Sequence, residues 1–195
     1  MNLEMFYKGQ RQQIEAGLKE GLDVTIYADP KYSSAKMWEI RKGLEQGLDV
    51  SWYADPKYDD GQMSAIHEGL EEGLDVSWYA NPKFEYFQME MIRIGLKNGV
   101  DVSLYADPKY NWEQMAQIRI GLEENLDPSI YADPKFTNHQ MREIRLGLKR
   151  GVDVSLYADP KYSWQQMERI RDGLEVKLVR PVMELNKPTG KGLER

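Results

Sequence analysis

Residues 57–82 read KYDDGQMSAIHEGLEEGLDVSWYANP, and within them lie the start, the buried face and the stop of one helix. Asp59 followed three residues later by Gln62 is a capping box, in which each side chain satisfies a backbone amide that the first turn leaves without a partner. Tyr58 before the cap and Met63 at the fourth helical position form a hydrophobic staple. Met63, Ile66 and Leu70 follow at i, i+3 and i+7, so this helix is predicted to run to about Glu72 with one apolar face. Gly73 stands where a left-handed C-terminal cap favours glycine. Asp75 is then predicted to cap a second, shorter helix through Val76, Ser77, Trp78 and Tyr79, with Leu74 stapled to Tyr79. Pro82 ends that helix by forcing the residue before it out of helical geometry.

The same pattern extends in both directions. Ala-Asp-Pro starts at Ala28, Ala54, Ala106, Ala132 and Ala158, and Ala80-Asn81-Pro82 fills the remaining slot, always 26 residues apart. The capping pairs Asn111 with Gln114, Thr137 with Gln140 and Ser163 with Gln166 repeat the box, and Phe84–Met89, Tyr110–Met115, Phe136–Met141 and Tyr162–Met167 repeat the staple. Glu85 is a poorer cap, and Lys36 takes the glutamine slot once. Asn125 replaces the turn glycine, which asparagine does better than other residues. Pro128 replaces Val76 at a first helical position, where proline is tolerated. Gly17, Gly43, Gly69, Gly95, Gly121, Gly147 and Gly173 lie inside the first helix of their copies, at a cost of about 1 kcal/mol each relative to alanine. Their retention predicts a close backbone approach, expected from the short helix of the next unit.

One such hairpin cannot bury its apolar face alone, and a register without insertions implies that the units stack. The expected fold is all-α: an α-solenoid of seven 26-residue helix–turn–short-helix repeats, over residues 5–30, 31–56, 57–82, 83–108, 109–134, 135–160 and 161–175 onward. Neighbouring helix axes should lie roughly 8–10 Å apart. Residues 176–195, with Pro181, Pro188, Gly190 and Gly192, are expected to be a C-terminal cap and tail closing the last unit with Val179, Val182 and Leu185. Arg11, Gln12 and Gln13 make the front copy polar, as a capping unit requires.

Composition narrows function. The 195 residues are 41% hydrophobic and 30% charged, with net charge −6 and both signs interspersed, which does not favour wrapping by nucleic acid. There is no cysteine, which removes disulfides, thiolate metal sites and cysteine nucleophiles. Met1 to Gln10 holds no apolar run and no stretch approaches 18 apolar residues, so neither a signal peptide nor a membrane span is expected, and a cytoplasmic location is. No phosphate loop, serine elbow or dinucleotide fingerprint occurs. The two histidines, His67 and His139, are not at ligand spacing, and His67 is expected on a helix surface in a slot that elsewhere holds arginine. The acidic residues recur with the repeat as caps or solvated faces, whereas a site of chemistry is usually unique. Catalysis, a cofactor and a bound metal are therefore not expected.

Two ladders run along the repeats. Arg41, Arg93, Arg119, Arg145 and Arg171, with the lysines that follow each proline, suit an extended anion. Matched against Asp49, Asp75, Asp101, Asp127 and Asp153, the arginines equally suit an inter-unit arginine–aspartate lattice, which equal numbers of both signs favour. Tyr27, Tyr53, Tyr79, Tyr105, Tyr131 and Tyr157 are expected in the core, not as a stacking platform for bases.

The motif Gln-Met-x-x-Ile-Arg-x-Gly-Leu at Gln140–Leu148, followed by Gly-Val-Asp-Val-Ser-Leu-Tyr-Ala-Asp-Pro at Gly151–Pro160, resembles a family of uncharacterised 26-residue repeats. These occur in proteins of gut-dwelling Gram-positive bacteria, their phages and mobile elements. The resemblance extends to about Glu175, and the final twenty residues depart from it. It implies a role on a mobile element, such as binding a host or defence protein.

Positions that differ between copies are free of architectural demands. One slot holds Ala16, Lys42, Glu68, Ile94, Ile120, Leu146 and Asp172, apolar in three central copies and thus a candidate stripe for a partner. Another holds Ser34, Asp60, Tyr86, Trp112, Asn138 and Trp164, whose aromatics suit interface anchors. A third, with Trp52, Trp78, Leu104, Ile130 and Leu156, is always apolar and is expected in the core. The function expected is a non-catalytic protein–protein interaction scaffold, monomeric or homodimeric, binding another protein through Ile94, Ile120, Leu146, Tyr86, Trp112 and Trp164. A nucleic-acid or nucleotide-binding solenoid and a structural spacer are the alternatives.

Overall fold

The computed structural model describes residues 3–185. Seven α-helices follow one another: α1 (Lys8–Lys19), α2 (Ser34–Glu45), α3 (Asp60–Glu71), α4 (Tyr86–Lys97), α5 (Trp112–Glu123), α6 (Asn138–Lys149) and α7 (Trp164–Leu185). No strand occurs among the described residues, and the helices pack on their sequence neighbours as an all-α solenoid of repeats. The chain divides after Met115 into two compact units. In the first, α1 packs on α2, α2 on α3 and α3 on α4; in the second, α6 packs on α7.

Each helix from α1 to α6 is twelve residues long and is set by its caps. In α3 the Asp59 carboxylate accepts the Gln62 N–H at 2.7 Å, and Gln62 Oε1 accepts the Asp59 N–H at 2.7 Å. Gly73 stops the helix at φ 68°, and Asn125 does the same after α5 at φ 56°. Where a seventh stop would fall the chain has Lys177, and α7 continues to Leu185 past Pro181. Residues 176–185 therefore continue α7. The side chains of Val179, Val182 and Leu185, and residues 186–195, lie outside the described residues.

The predicted short helix is a single 3-10 turn, at Val24–Ile26, Val50–Trp52, Val76–Trp78, Val102–Leu104, Pro128–Ile130 and Val154–Leu156. The reason is local. The Tyr53 and Ala54 amides both close on the Val50 carbonyl, at 3.0 and 2.8 Å, and the following Asp55-Pro56 leaves no room for a second turn.

The helix glycines face a close approach, but from their own unit, except for Gly173, where a Cβ would meet nothing within 4 Å. A Cβ on Gly69 would lie 1.8 Å from Tyr79 Oη and 3.0 Å from Val76 Cγ1, and one on Gly43 would lie 2.0 Å from Tyr53 Oη. The expectation that the next unit approaches is thus corrected. The short glycine–turn connection folds the 3-10 turn back onto the helix it follows. There Tyr79 Oη donates to the Ala65 carbonyl at 3.3 Å and Tyr53 Oη to that of Glu39 at 3.2 Å. These tyrosines are fully buried, as expected.

Units are joined by the capping-box glutamine. Gln62 Nε2 donates to the carbonyls of Phe84 at 2.6 Å and Pro82 at 3.3 Å, in the segment that leads into α4. Gln10, Gln88 and Gln140 make the same pair of bonds one repeat onward. Lys36, in the glutamine slot of α2, keeps one of them, its ammonium donating to Pro56 at 3.1 Å. One buried amide thus satisfies its own helix start and the start of the next.

Gly69→Ala should destabilise the protein by about 1–3 kcal/mol in urea unfolding, despite alanine's higher helix propensity, because Tyr79 has nowhere to go. Adding Tyr79→Phe should recover part of that loss, so the two changes should be non-additive. Gln62→Leu should cost about 1–3 kcal/mol by leaving buried carbonyls unsatisfied, and Gln62→Lys should cost less, read as a smaller fall in the urea midpoint.

Candidate protein-binding surfaces

Burial sorts the residues of each turn and its caps: Val50 and Tyr53 are buried, while Asp49, Ser51 and Trp52 are exposed. The same sorting gives exposed Trp78 (39%, as for Trp52), Ile26 and Leu104 (38% each) in the first unit, and exposed Ile130 and Leu156 in the second. The expectation that this apolar slot lies in the core is therefore overturned. Constant apolar character signalled burial, but valine and tyrosine take the buried places.

The aspartates are caps, not lattice partners. Asp49 Oδ1 accepts the Ser51 N–H at 3.1 Å and the Ser51 hydroxyl at 2.6 Å, and Asp23, Asp75, Asp101, Asp127 and Asp153 likewise accept an amide two residues on. The arginines instead reach glutamates and glutamines, which are one methylene longer and not committed to a turn. Arg93 pairs with Glu68, Glu72 and Glu90, each at 2.9 Å. Arg145 meets Glu124 at 2.7 Å and Gln117 at 3.2 Å. Arg41 contacts Glu20 at 3.2 Å and also Glu45, Arg119 meets Glu123 at 2.5 Å, and Arg171 meets Glu143. The expected lattice is present with its acidic partner corrected. Of the lysines after proline, Lys57 pairs with Asp55 at 3.6 Å, Lys109 with Asp107 at 3.1 Å and Lys161 with Asp159 at 2.8 Å, each within its own turn.

His67 takes the arginine place in α3 and is buried, contrary to its expected surface position. Its ring stacks on Tyr53 with centroids 5.9 Å apart and planes 7° from parallel. Nδ1 lies 2.7 Å from Glu39 Oε2 and Nε2 lies 2.6 Å from Gln46 Oε1. The imidazole thus fills a lattice position that arginine fills elsewhere. Among the described residues no group of three or more histidine or acidic side chains is placed to hold a metal ion.

Of the residues expected to bind a partner, Ile94, Ile120 and Leu146 are half-buried in the last turns of α4, α5 and α6. Tyr86 is half-buried at the start of α4, and Trp112 and Trp164 are exposed at the starts of α5 and α7. Phe87, missed in the sequence, is also exposed and joins Tyr86 to Trp112, with ring centroids 5.1 and 5.7 Å away respectively. His139 meets Trp164 in the same way at 5.7 Å. Both pairs are 25 residues apart, one short of the repeat, a relation that only the stacking of first turns reveals.

No described helix is long and apolar enough to cross a membrane. No family model, curated protein or solved structure matches this chain.

The Glu72 carboxyl is held below its usual range, first by its bond from Lys97, at 2.5 Å, and then by Arg93. A carboxyl depressed in the folded state adds stability above its unfolded pKa and loses it as pH falls through the folded value. Glu72→Gln should therefore flatten the loss of thermal stability between about pH 5 and 3, followed by circular dichroism.

Proposed function

We propose that this chain is a non-catalytic scaffold that binds another protein along its repeats. The observation that carries this reading is the outward residue of the 3-10 turns. It is apolar in all six copies and exposed in all six. An exposed apolar row rimmed by polar residues is typical of a binding surface. The aromatic group Tyr86–Phe87–Trp112 and the half-buried Ile94, Ile120 and Leu146 offer further contact. Engagement of the arginines by carboxylates within the stack speaks for this reading over an extended anion site. The resemblance to repeats of phages and mobile elements supports a host or defence protein as the partner.

The test is affinity capture from a nuclease-treated bacterial lysate. Wild type is compared with a Trp52→Ser, Trp78→Ser variant and with an Ile94→Glu, Ile120→Glu, Leu146→Glu variant, each first shown to be as helical as wild type. Trp52 and Trp78 are only 39% exposed, so each serine is expected to cost about 1–3 kcal/mol of stability, and capture is read only on variants shown to be folded. The expected result is a protein retained by wild type and lost from the tryptophan variant. Retention by that variant but not by the other would move the site to the half-buried stripe. No protein retained by wild type would leave the chain a spacer.

A further inference from the structure

The outward face of the 3-10 turns carries charge as well as apolar surface. The residue three before each exposed apolar side chain is the capping aspartate, so the turns of the first unit carry Asp23 with Ile26, Asp49 with Trp52, Asp75 with Trp78 and Asp101 with Leu104. All eight are exposed. The four carboxylates share a geometry, because Oδ1 is fixed by the amide two residues on, at 3.0 to 3.1 Å. Among the described residues none of the four is paired with a lysine or arginine. The nearby Lys57 and Lys109 are engaged by Asp55 and Asp107 instead. At the centre of the row an indole and an unneutralised carboxylate therefore occur together twice, one repeat apart.

We propose that this row binds an extended cationic segment of a partner protein, one arginine or lysine to each repeat; this rests on the protein-binding reading above. Tryptophan is the best side chain for holding a cation over its ring. An exposed carboxylate three residues earlier in the chain supplies the opposite charge. Ile26 and Leu104 offer apolar surface to the aliphatic stems of such residues. The spacing selects the segment's form. Repeats stacked roughly 8–10 Å apart match about three residues of extended or polyproline-like chain, which advances roughly 3.1–3.4 Å per residue. The cations should thus fall at every third position. A second copy of this chain would bring an identical acidic row against the first, and a nucleic acid would bring phosphates, so both oppose the charge found here.

The test uses the whole chain and labelled peptides, read by fluorescence anisotropy. One peptide has arginine at every third position, one has the same composition with the arginines in a block, one has glutamate for arginine, and one is uncharged and apolar. The first should bind best, and more weakly as salt rises. Asp49→Asn with Asp75→Asn keeps the caps, because asparagine caps as well as aspartate. It should weaken binding roughly two- to fivefold per position. Trp52→Leu with Trp78→Leu places there the residue that Leu104 supplies naturally, and should weaken binding roughly fivefold or more. Equal binding of the uncharged or acidic peptide, or no effect of the asparagine variant, would overturn the proposal. So would a wild-type dimer in sedimentation that the leucine variant abolishes. If the cationic peptide fails while lysate capture still needs Trp52 and Trp78, the chemistry of the partner is wrong and the binding row stands. If both fail, the protein-binding reading falls with it.

Discussion

The contact between a buried phenol and a helix glycine governs everything else in the repeat. Tyr79 Oη occupies the space where any larger residue at position 69 would carry its Cβ, and it is bonded there to the Ala65 carbonyl. Burial raises the phenol's pKa, in Tyr157 to about 12, so the hydroxyl stays a donor under ordinary conditions. Locking tyrosine and valine against the helix fixes the rotation of the 3-10 turn. With valine and tyrosine buried, the aspartate, serine and tryptophan of the same segment are left exposed.

Two kinds of bond carry this unit to its neighbour. The capping-box glutamine is buried and serves two helix starts at once, so it ties the caps of successive units together. The arginine–glutamate contacts range from part-exposed, as in Arg93–Glu68, to buried, as in Arg171–Glu143. Where copies deviate, a different residue preserves the same bond or backbone state. Lys36 donates where glutamine would, His67 sits between Glu39 and Gln46 where arginine would reach, and Asn125 adopts the left-handed turn of glycine. Such substitutions show that the architecture selects for interaction geometry and not for residue identity.

A scaffold of this kind separates stability from recognition. The inward pair and the glutamine hold the stack, while the residue outside each turn is free to be tryptophan, leucine or isoleucine. Variation in size at a constant apolar and acidic position gives a surface with one general chemistry and local differences in shape. That suits a lengthwise partner touched by several repeats in turn, each adding a modest contact.

Much of this was legible in the residues of one unit. Asp59 with Gln62, Tyr58 with Met63, Gly73 and Pro82 specify a helix, its buried face and its stop through short-range chemistry, and the 26-residue register implies stacking. The exposure of Trp112 and Trp164 was also recognisable, because the variation in their slot showed that the core did not need it. The outward place of Trp52 and Trp78, the burial of His67, the use of glutamate rather than aspartate by the arginines, and the Phe87–Trp112 pair were not legible. Each depends on how a turn is rotated or on which side chains from units a repeat apart come within reach. Sequence alone determined the elements and their period, because caps, staples and breakers act within a few residues. Only the tertiary structure decided which residues of each turn face solvent, because the packing of Tyr79 against Gly69 sets that orientation.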